Sequence, residues 1–232
     1  MMKLIFFGSE GSLGSKICPR LVERDYEVLK VDLTGDCDVR LNANEEHDVA
    51  KFFDDLCNEK ELYTGLVNFV GLIHSKPLYN PMAQEKYLSF DEWQAVLETN
   101  LDTAFIIAKH YHRYCNHKRI KCNLINVSSV AAAGNPGQIA YSSAKAAVET
   151  LTISLAKELG PSGHRFNVLS PGFIDVESTK SNLSESRLSQ IISNTPVRRL
   201  GDIGSLANAI VVLLESDFIT GHIMKVDGGY KL

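Results

Sequence analysis

Short apolar runs rich in β-branched residues alternate with longer amphipathic stretches along the whole of this sequence. That alternation constrains the fold most. A run buried on both faces and joined to the next through a helix belongs in a parallel sheet covered on two sides. The runs are KLIFF (3–7), EVLKVD (27–32), GLVNFV (65–70), CNLINVS (122–128), RFNVLS (165–170) and HIMKV (222–226). Helices are predicted near 12–24, 45–60, 90–117, 138–160 and 202–215. The fourth is the plainest, being alanine-rich, apolar at helical period and stopped by Gly160-Pro161. No repeat, low-complexity tract or Pro/Gly-rich linker divides the chain, so 1–232 reads as one α/β domain with helices on both faces of a doubly wound sheet. Only Leu33, Thr34 and Gly35 separate Asp32 from DCDV (36–39), whereas a parallel crossover takes about ten residues or more. The edge after the second strand is therefore expected to be shortened, with DCDV an edge loop or a short strand of another orientation.

Composition narrows the function. At 232 residues and 44% hydrophobic, the chain can bury one sizeable core. A net charge of −4 with 22% charged residues excludes the basic footprint of a nucleic-acid binder and the signature of disorder. After Lys3 the opening MMKLIFF is apolar for four residues, too short for a signal-peptide core or a membrane span. The five cysteines, Cys18, Cys37, Cys57, Cys115 and Cys122, are odd in number and lack C-x-x-C spacing. Reduced thiols, a cytoplasmic location and no metal site are expected. His110 and His112, two apart on a helix, point apart and would not share a metal.

Two motifs carry chemistry. The first strand runs into Gly8-Ser-Glu-Gly11-Ser-Leu-Gly14 and then a helix. Such a Rossmann-like turn lets the N–H groups of Gly8, Gly11, Ser12, Leu13 and Gly14 approach a pyrophosphate at a helix N-terminus. A plain tight turn would use the same glycines, but Asp32 closes the second strand 18 residues after Gly14. A carboxylate there accepts from an adenosine ribose diol and repels a 2′-phosphate. No Arg or Lys stands between Asp32 and Arg40, so NAD is favoured over NADP, although Asp32 would also serve as a surface turn residue. The second motif is Tyr141-Ser-Ser-Ala-Lys145, whose end residues share a helix face. By itself that pair could be a solvated face. An ammonium beside a phenol, however, stabilises phenolate, and Ser128-Ser129 upstream offers a hydroxyl to polarise a carbonyl.

With these motifs the chain resembles the short-chain dehydrogenase/reductase family along essentially its whole length. The run NVSSVAAAGNPGQIAYSSAKAAVETLTISLAKELGPSGHRFNVLSPGF and the closing FITGHIMKVDGGY are similar to 3-oxoacyl-carrier-protein reductases and secondary-alcohol dehydrogenases. The resemblance implies Tyr141 as general acid/base, Lys145 lowering its pKa and binding the nicotinamide ribose, and Ser129 holding the substrate oxygen. It implies that Asn100, in ETNLDTAF, holds a water for proton relay. It also places Asp38-Val39 beside the adenine, Asn68 and Gly71 in the family's Asn-Asn-Ala-Gly, and Pro171-Gly172 and Ile174 beside the nicotinamide. A homodimer or homotetramer built through the helices at 90–117 and 138–160 follows from the same resemblance.

The departures are specific. Phe7 stands where the family has Thr, Ser12 where it has Gly, Phe69 where it has a second Asn, and Val176 where a Thr often meets the carboxamide. Ser129 precedes Tyr141 by one residue fewer than usual, which leaves Ser128 as a rival. Pro19 falls inside the first helix, where it removes a backbone bond. Segments at about 72–91 and 177–195, the second rich in serine, are expected to be substrate loops that order as a lid, the alternative being a fixed surface loop packed by Phe90, Leu183 and Ile191. His74, Lys76, Lys180 and Arg187 read as solvated charge, or else as contacts for an anionic substrate. The function expected is NAD-dependent hydride transfer between nicotinamide and a secondary alcohol or ketone of a small molecule. The alternatives are an NADPH-dependent carbonyl reductase of 3-oxoacyl type and a non-catalytic nucleotide-sensing scaffold on the same fold.

Overall fold

The structure, a computed structural model, describes residues 2–181 and 183–230; of the segments above, Met1, Asn182, Lys231 and Leu232 lie outside the described residues. Seven parallel strands form one sheet: β1 (Lys3–Phe7), β2 (Glu27–Asp32), β3 (Val39–Arg40), β4 (Gly65–Asn68), β5 (Asn123–Val127), β6 (Arg165–Pro171) and β7 (Ile223–Val226), in the order β3-β2-β1-β4-β5-β6-β7. Alternation along β1 divides the core. Leu4 and Phe6 join Ile17 and Leu21 of α1 (Gly14–Val22) and Leu206, Ile210 and Leu213 of α8 (Ile203–Glu215) on one face. Ile5 and Phe7 point the other way, onto Phe52 and Phe53 of α2 (Glu46–Asn58) and Ile107, Tyr111 and Tyr114 of α4 (Thr103–Lys118). A strand with both faces covered cannot alternate polar and apolar residues, so KLIFF is apolar throughout after Lys3.

The expectation for DCDV is corrected here. β3 pairs parallel with β2, Val31 opposite Val39 and Asp32 opposite Arg40. The ladder is two residues long and sits at the end of β2, so the chain does not travel back along a whole strand. Residues 33–38 therefore suffice without a helix, and the Asp38 N–H already donates to the Lys30 carbonyl at 3.0 Å. Among the described residues no helix stands between β2 and β3, as the short gap required.

The predicted helix 90–117 is also interrupted. It divides into α3 (Phe90–Leu97), a π-helical turn (Glu98–Asp102) and α4. The Asn100 carboxamide donates to the Val96 carbonyl at 2.9 Å, the acceptor that its own N–H would use in an α-helix. A side chain inserted into the ladder in this way widens the turn. α3 starts at a capping box, Ser89 accepting from the Glu92 N–H while Glu92 accepts from Ser89. α5 (Ile139–Leu159) crosses behind β5 and β6, and α6 (Glu177–Ser181) and α7 (Glu185–Asn194) follow β6 over the crevice side. Pro19 lies on the exposed side of α1, where solvent can satisfy the Ser15 carbonyl whose bond it removes.

Candidate active site

Strand order reverses at β1, between β2 and β4, and the C-terminal ends of these strands open the crevice where ligands of such sheets bind. The loop leaving β1 is shaped by close backbone approach. Gly8 has φ +78°, and a Cβ there would stand 2.7 Å from the Phe69 carbonyl carbon. One at Gly14 would stand 2.0 Å from the Gly8 oxygen. Gly11 has more room, 3.4 Å from that oxygen, so the loop is tightest at its two ends. Leu13 occupies the N-cap position of α1, next to exposed Ser12, so the first N–H groups of that helix face the crevice mouth. Ser9 is fully buried, and its hydroxyl has no partner among the described residues. A glycine cradle, a helix N-terminus and an unmatched polar atom are what a dinucleotide pyrophosphate requires, so the residues fit that group. Phe7, in place of the family threonine, is buried edge-on against Phe52.

Asp32 ends β2 beside this loop. Its Oδ2 accepts from the Glu10 N–H at 2.8 Å and its Oδ1 from the Leu33 N–H at 2.7 Å. Asp38 turns its carboxylate to the Lys30 N–H at 2.7 Å, and Val39 half-buries against the core, so both are edge residues.

Tyr141 and Lys145 lie one turn apart near the start of α5, with the Lys145 Nζ 5.7 Å from the ring centroid. The Nζ donates to the Val127 carbonyl at the end of β5, at 2.9 Å. Burial pushes the Lys145 amine down to about 8. Burial also pushes the Tyr141 phenol above its ordinary value, and the neighbouring Ser129 hydroxyl pulls the other way. This differs from the lowering by Lys145 expected above: desolvation outweighs an ammonium turned toward Val127. Ser129 caps a short 3₁₀ turn (Val130–Ala133), its oxygen accepting from the Ala131 N–H at 3.2 Å. Its own proton is directed at the Tyr141 phenol oxygen, the contact through which it lowers that phenol. Ser128 is directed elsewhere, donating to Glu149 at 2.8 Å and approaching the Lys145 carbonyl at 3.3 Å.

Asn100 reaches this cluster from the π turn. Its carboxamide donates to the Leu72 carbonyl at 3.0 Å and accepts from the Leu72 N–H at 3.2 Å. A Cβ on Gly71 would meet Asn100 Oδ1 at 2.7 Å and Lys145 Nζ at 3.0 Å, so only glycine admits both. Asn68 contributes differently. It is buried, and its amide joins Asn126 at 3.0 Å and the Val70 N–H at 3.1 Å, while Asn126 continues to Thr152 at 3.0 Å. This polar chain ties β4, β5 and α5 together. Phe69, where a second asparagine was expected, stacks on Phe6 at 5.2 Å. Pro171 ends β6, and Gly172 leaves no room for a Cβ, which would stand 2.7 Å from Asp227 Cα. Ile174 and Val176 are buried in the turn that follows, apolar on the side where a threonine was expected.

Two contacts at the mouth were not singled out in the sequence. Gln138 donates to Ser75 at 2.9 Å, and Lys76 is paired with Glu92 at 2.6 Å. Lys180 is likewise paired with Asp175 at 2.7 Å. Gln138, three residues before Tyr141 on the same chain turn, could have been suspected; the Ser75 partner could not.

A profile of the short-chain dehydrogenase/reductase group described as Enoyl-(Acyl carrier protein) reductase matches residues 13–231. This chain belongs to the short-chain dehydrogenase/reductase family. As a member it is an NAD(P)-dependent oxidoreductase acting on CH–OH or C=O groups. It is 32% identical over 224 residues to the 3-oxoacyl-[acyl-carrier-protein] reductase FabG of Buchnera aphidicola, covering 95% of this chain and 84% of that one. To the 3-oxoacyl-[acyl-carrier-protein] reductase of Bos taurus it is 31% identical over 246 residues, covering 98% and 97%. Among solved structures, 4-hydroxyisoleucine dehydrogenase complexed with NADH superposes with a TM-score of 0.86 at 24% identity, covering 100% of this chain and 99% of that one. ElxO with NADP bound superposes with a TM-score of 0.87 at 22% identity, covering 99% and 98%, and these two share the fold of this short-chain dehydrogenase/reductase. No described helix is long and apolar enough to cross a membrane.

Proposed function

We propose that the chain catalyses reversible NAD-linked hydride transfer at a secondary alcohol or ketone carbon, with Tyr141 as general acid/base. The observation that carries this reading is the convergence of Tyr141, Ser129 and Lys145 beside the crevice, with Ser128 drawn away by Glu149. Bound nicotinamide supplies or takes up the hydride. Ser129 donates a hydrogen bond to the substrate oxygen and keeps its proton. In reduction Tyr141, kept protonated by burial, passes its proton to that oxygen; in oxidation the phenolate takes it back. Lys145 holds a positive charge near the phenol and has donors left for a ribose hydroxyl. Asn100 fixes the Leu72 backbone and Gly71 against Lys145, and its second oxygen lone pair can hold a relay water. Pro171, Gly172 and Ile174 wall the nicotinamide side, and Asp32 accepts from the adenosine ribose and disfavours NADP.

A second reading, reduction of 3-oxoacyl thioesters with NADPH, is favoured by the two whole-length relatives of that name. Following reduced nicotinamide by absorbance across polyols, hydroxyacyl thioesters and sugar derivatives, with each cofactor, separates the two. Turnover with NADPH and 3-oxoacyl thioesters above that with NADH and any alcohol or ketone selects the second. We extend the first reading to a cytoplasmic homodimer or homotetramer, with α6 and α7 closing over substrate as a lid.

A further inference from the structure

We propose that Glu10 is a second cofactor-specificity residue, closing the adenosine corner with Asp32 so that a 2′-phosphate meets two carboxylates rather than one. This rests on the NAD reading above and extends it to a residue in the glycine loop. Glu10 touches both sides of the corner. Its N–H donates to Asp32 Oδ2 at 2.8 Å, while its Oε2 accepts from the Asp36 N–H at 3.3 Å. Its side chain lies flat on Gly35, whose φ is +87° and where a Cβ would come within 2.6 Å of Glu10 Cγ. The glycine loop and the β2–β3 connection are thus joined through one half-buried carboxylate.

The cations nearby are already engaged. Lys30 stands 3.9 Å from Glu10 Oε1 and donates to the Asp36 carbonyl, and Arg40 donates to the Gly35 carbonyl at 3.0 Å. Asp36 and Asp38 add further negative charge on the same short connection. A phosphate on the ribose would therefore have to displace Lys30 or Arg40 from their partners. A free ribose diol needs only acceptors, and carboxylates supply them.

The test is fluorescence titration of NADH and NADPH against the wild-type chain, Glu10→Gln and Glu10→Ser, with thermal melts to check folding. Gln keeps an oxygen for the Asp36 N–H but removes the charge. In both variants the ratio of NADPH to NADH dissociation constants should fall about fivefold, with NADH binding changed less than about twofold in Glu10→Gln. An unchanged ratio, including parallel weakening of both cofactors, means that Glu10 only braces the loop and overturns the inference. Tighter wild-type binding of NADPH than NADH instead overturns the NAD reading itself, whatever the variants do.

Discussion

Burial works on Tyr141 and Lys145 in opposite directions, and each direction can be measured. Tyr141→Phe keeps the ring and removes the proton, so turnover should fall at least about a hundredfold, the usual range for general acid/base catalysis. NADH affinity, by titration, should barely move; near-normal turnover would refute the assignment. Lys145 titrates near 8 in the folded chain against an ordinary 10.5. Below about pH 8 both folded and unfolded forms are protonated, and the fold bears the full cost of a buried ammonium. Between the two values the unfolded chain binds the extra proton, so stability rises with pH. Lys145→Met should therefore stabilise the free enzyme by up to about 3 kcal/mol at pH 7. Chemical denaturation should show that gain shrinking toward pH 10.5, and a pH-independent difference would contradict the account. The spacing of this pair was legible because four residues on a helix share a face whatever the fold. The upward shift of the phenol was not, since desolvation depends on what the fold stacks above it. The resemblance favoured Ser129 over Ser128, but the bond that turns Ser128 aside, to Glu149 twenty-one residues away, was not legible in the sequence.

At the scale of elements, the buried chain Asn68–Asn126–Thr152 holds β4, β5 and α5 in register. Thr152→Val preserves shape but leaves an Asn126 N–H without a partner, which should cost about 1–3 kcal/mol in urea denaturation. α6 and α7 have one deeply buried apolar anchor, Ile191, among largely exposed side chains. Their amides should exchange readily in the free chain and slow with NAD and substrate; protection already present without ligand would dismiss a lid. The ends of β1 and β2 were readable to the residue, because Lys3 and Gly8 bracket the buried run of β1 and Glu27 and Asp32 bracket the β-branched and apolar run of β2. The break between α3 and α4 was not readable. It depends on one amide competing for one carbonyl, and helical periodicity carries no trace of that. The orientation of β3 was misjudged because a crossover length was applied to a ladder too short to need one.

For the whole molecule, assembly is the open quantity. On α5, Ala144 is buried within the protomer, whereas Ala147 and Leu151 remain half-buried, and Phe105 on α4 is 51% exposed. If α4 and α5 form the interface, light scattering at micromolar concentration should exceed the 25.7 kDa of one chain, and Phe105→Glu should lower the mass. A single 25.7 kDa species would contradict it. The brevity of β3 matters for a different reason. An open sheet has two borders, and each is a row of unpaired backbone groups on which a stray strand could grow into an aggregate. At one border β3 offers two residues, Val39 and charged Arg40, preceded by charged Asp38. At the other, β7 offers four, with Lys225 exposed among them. The chain thereby gives a templated fibre almost nothing to copy where its sheet stops at β3, a protection obtained by shortening the border strand.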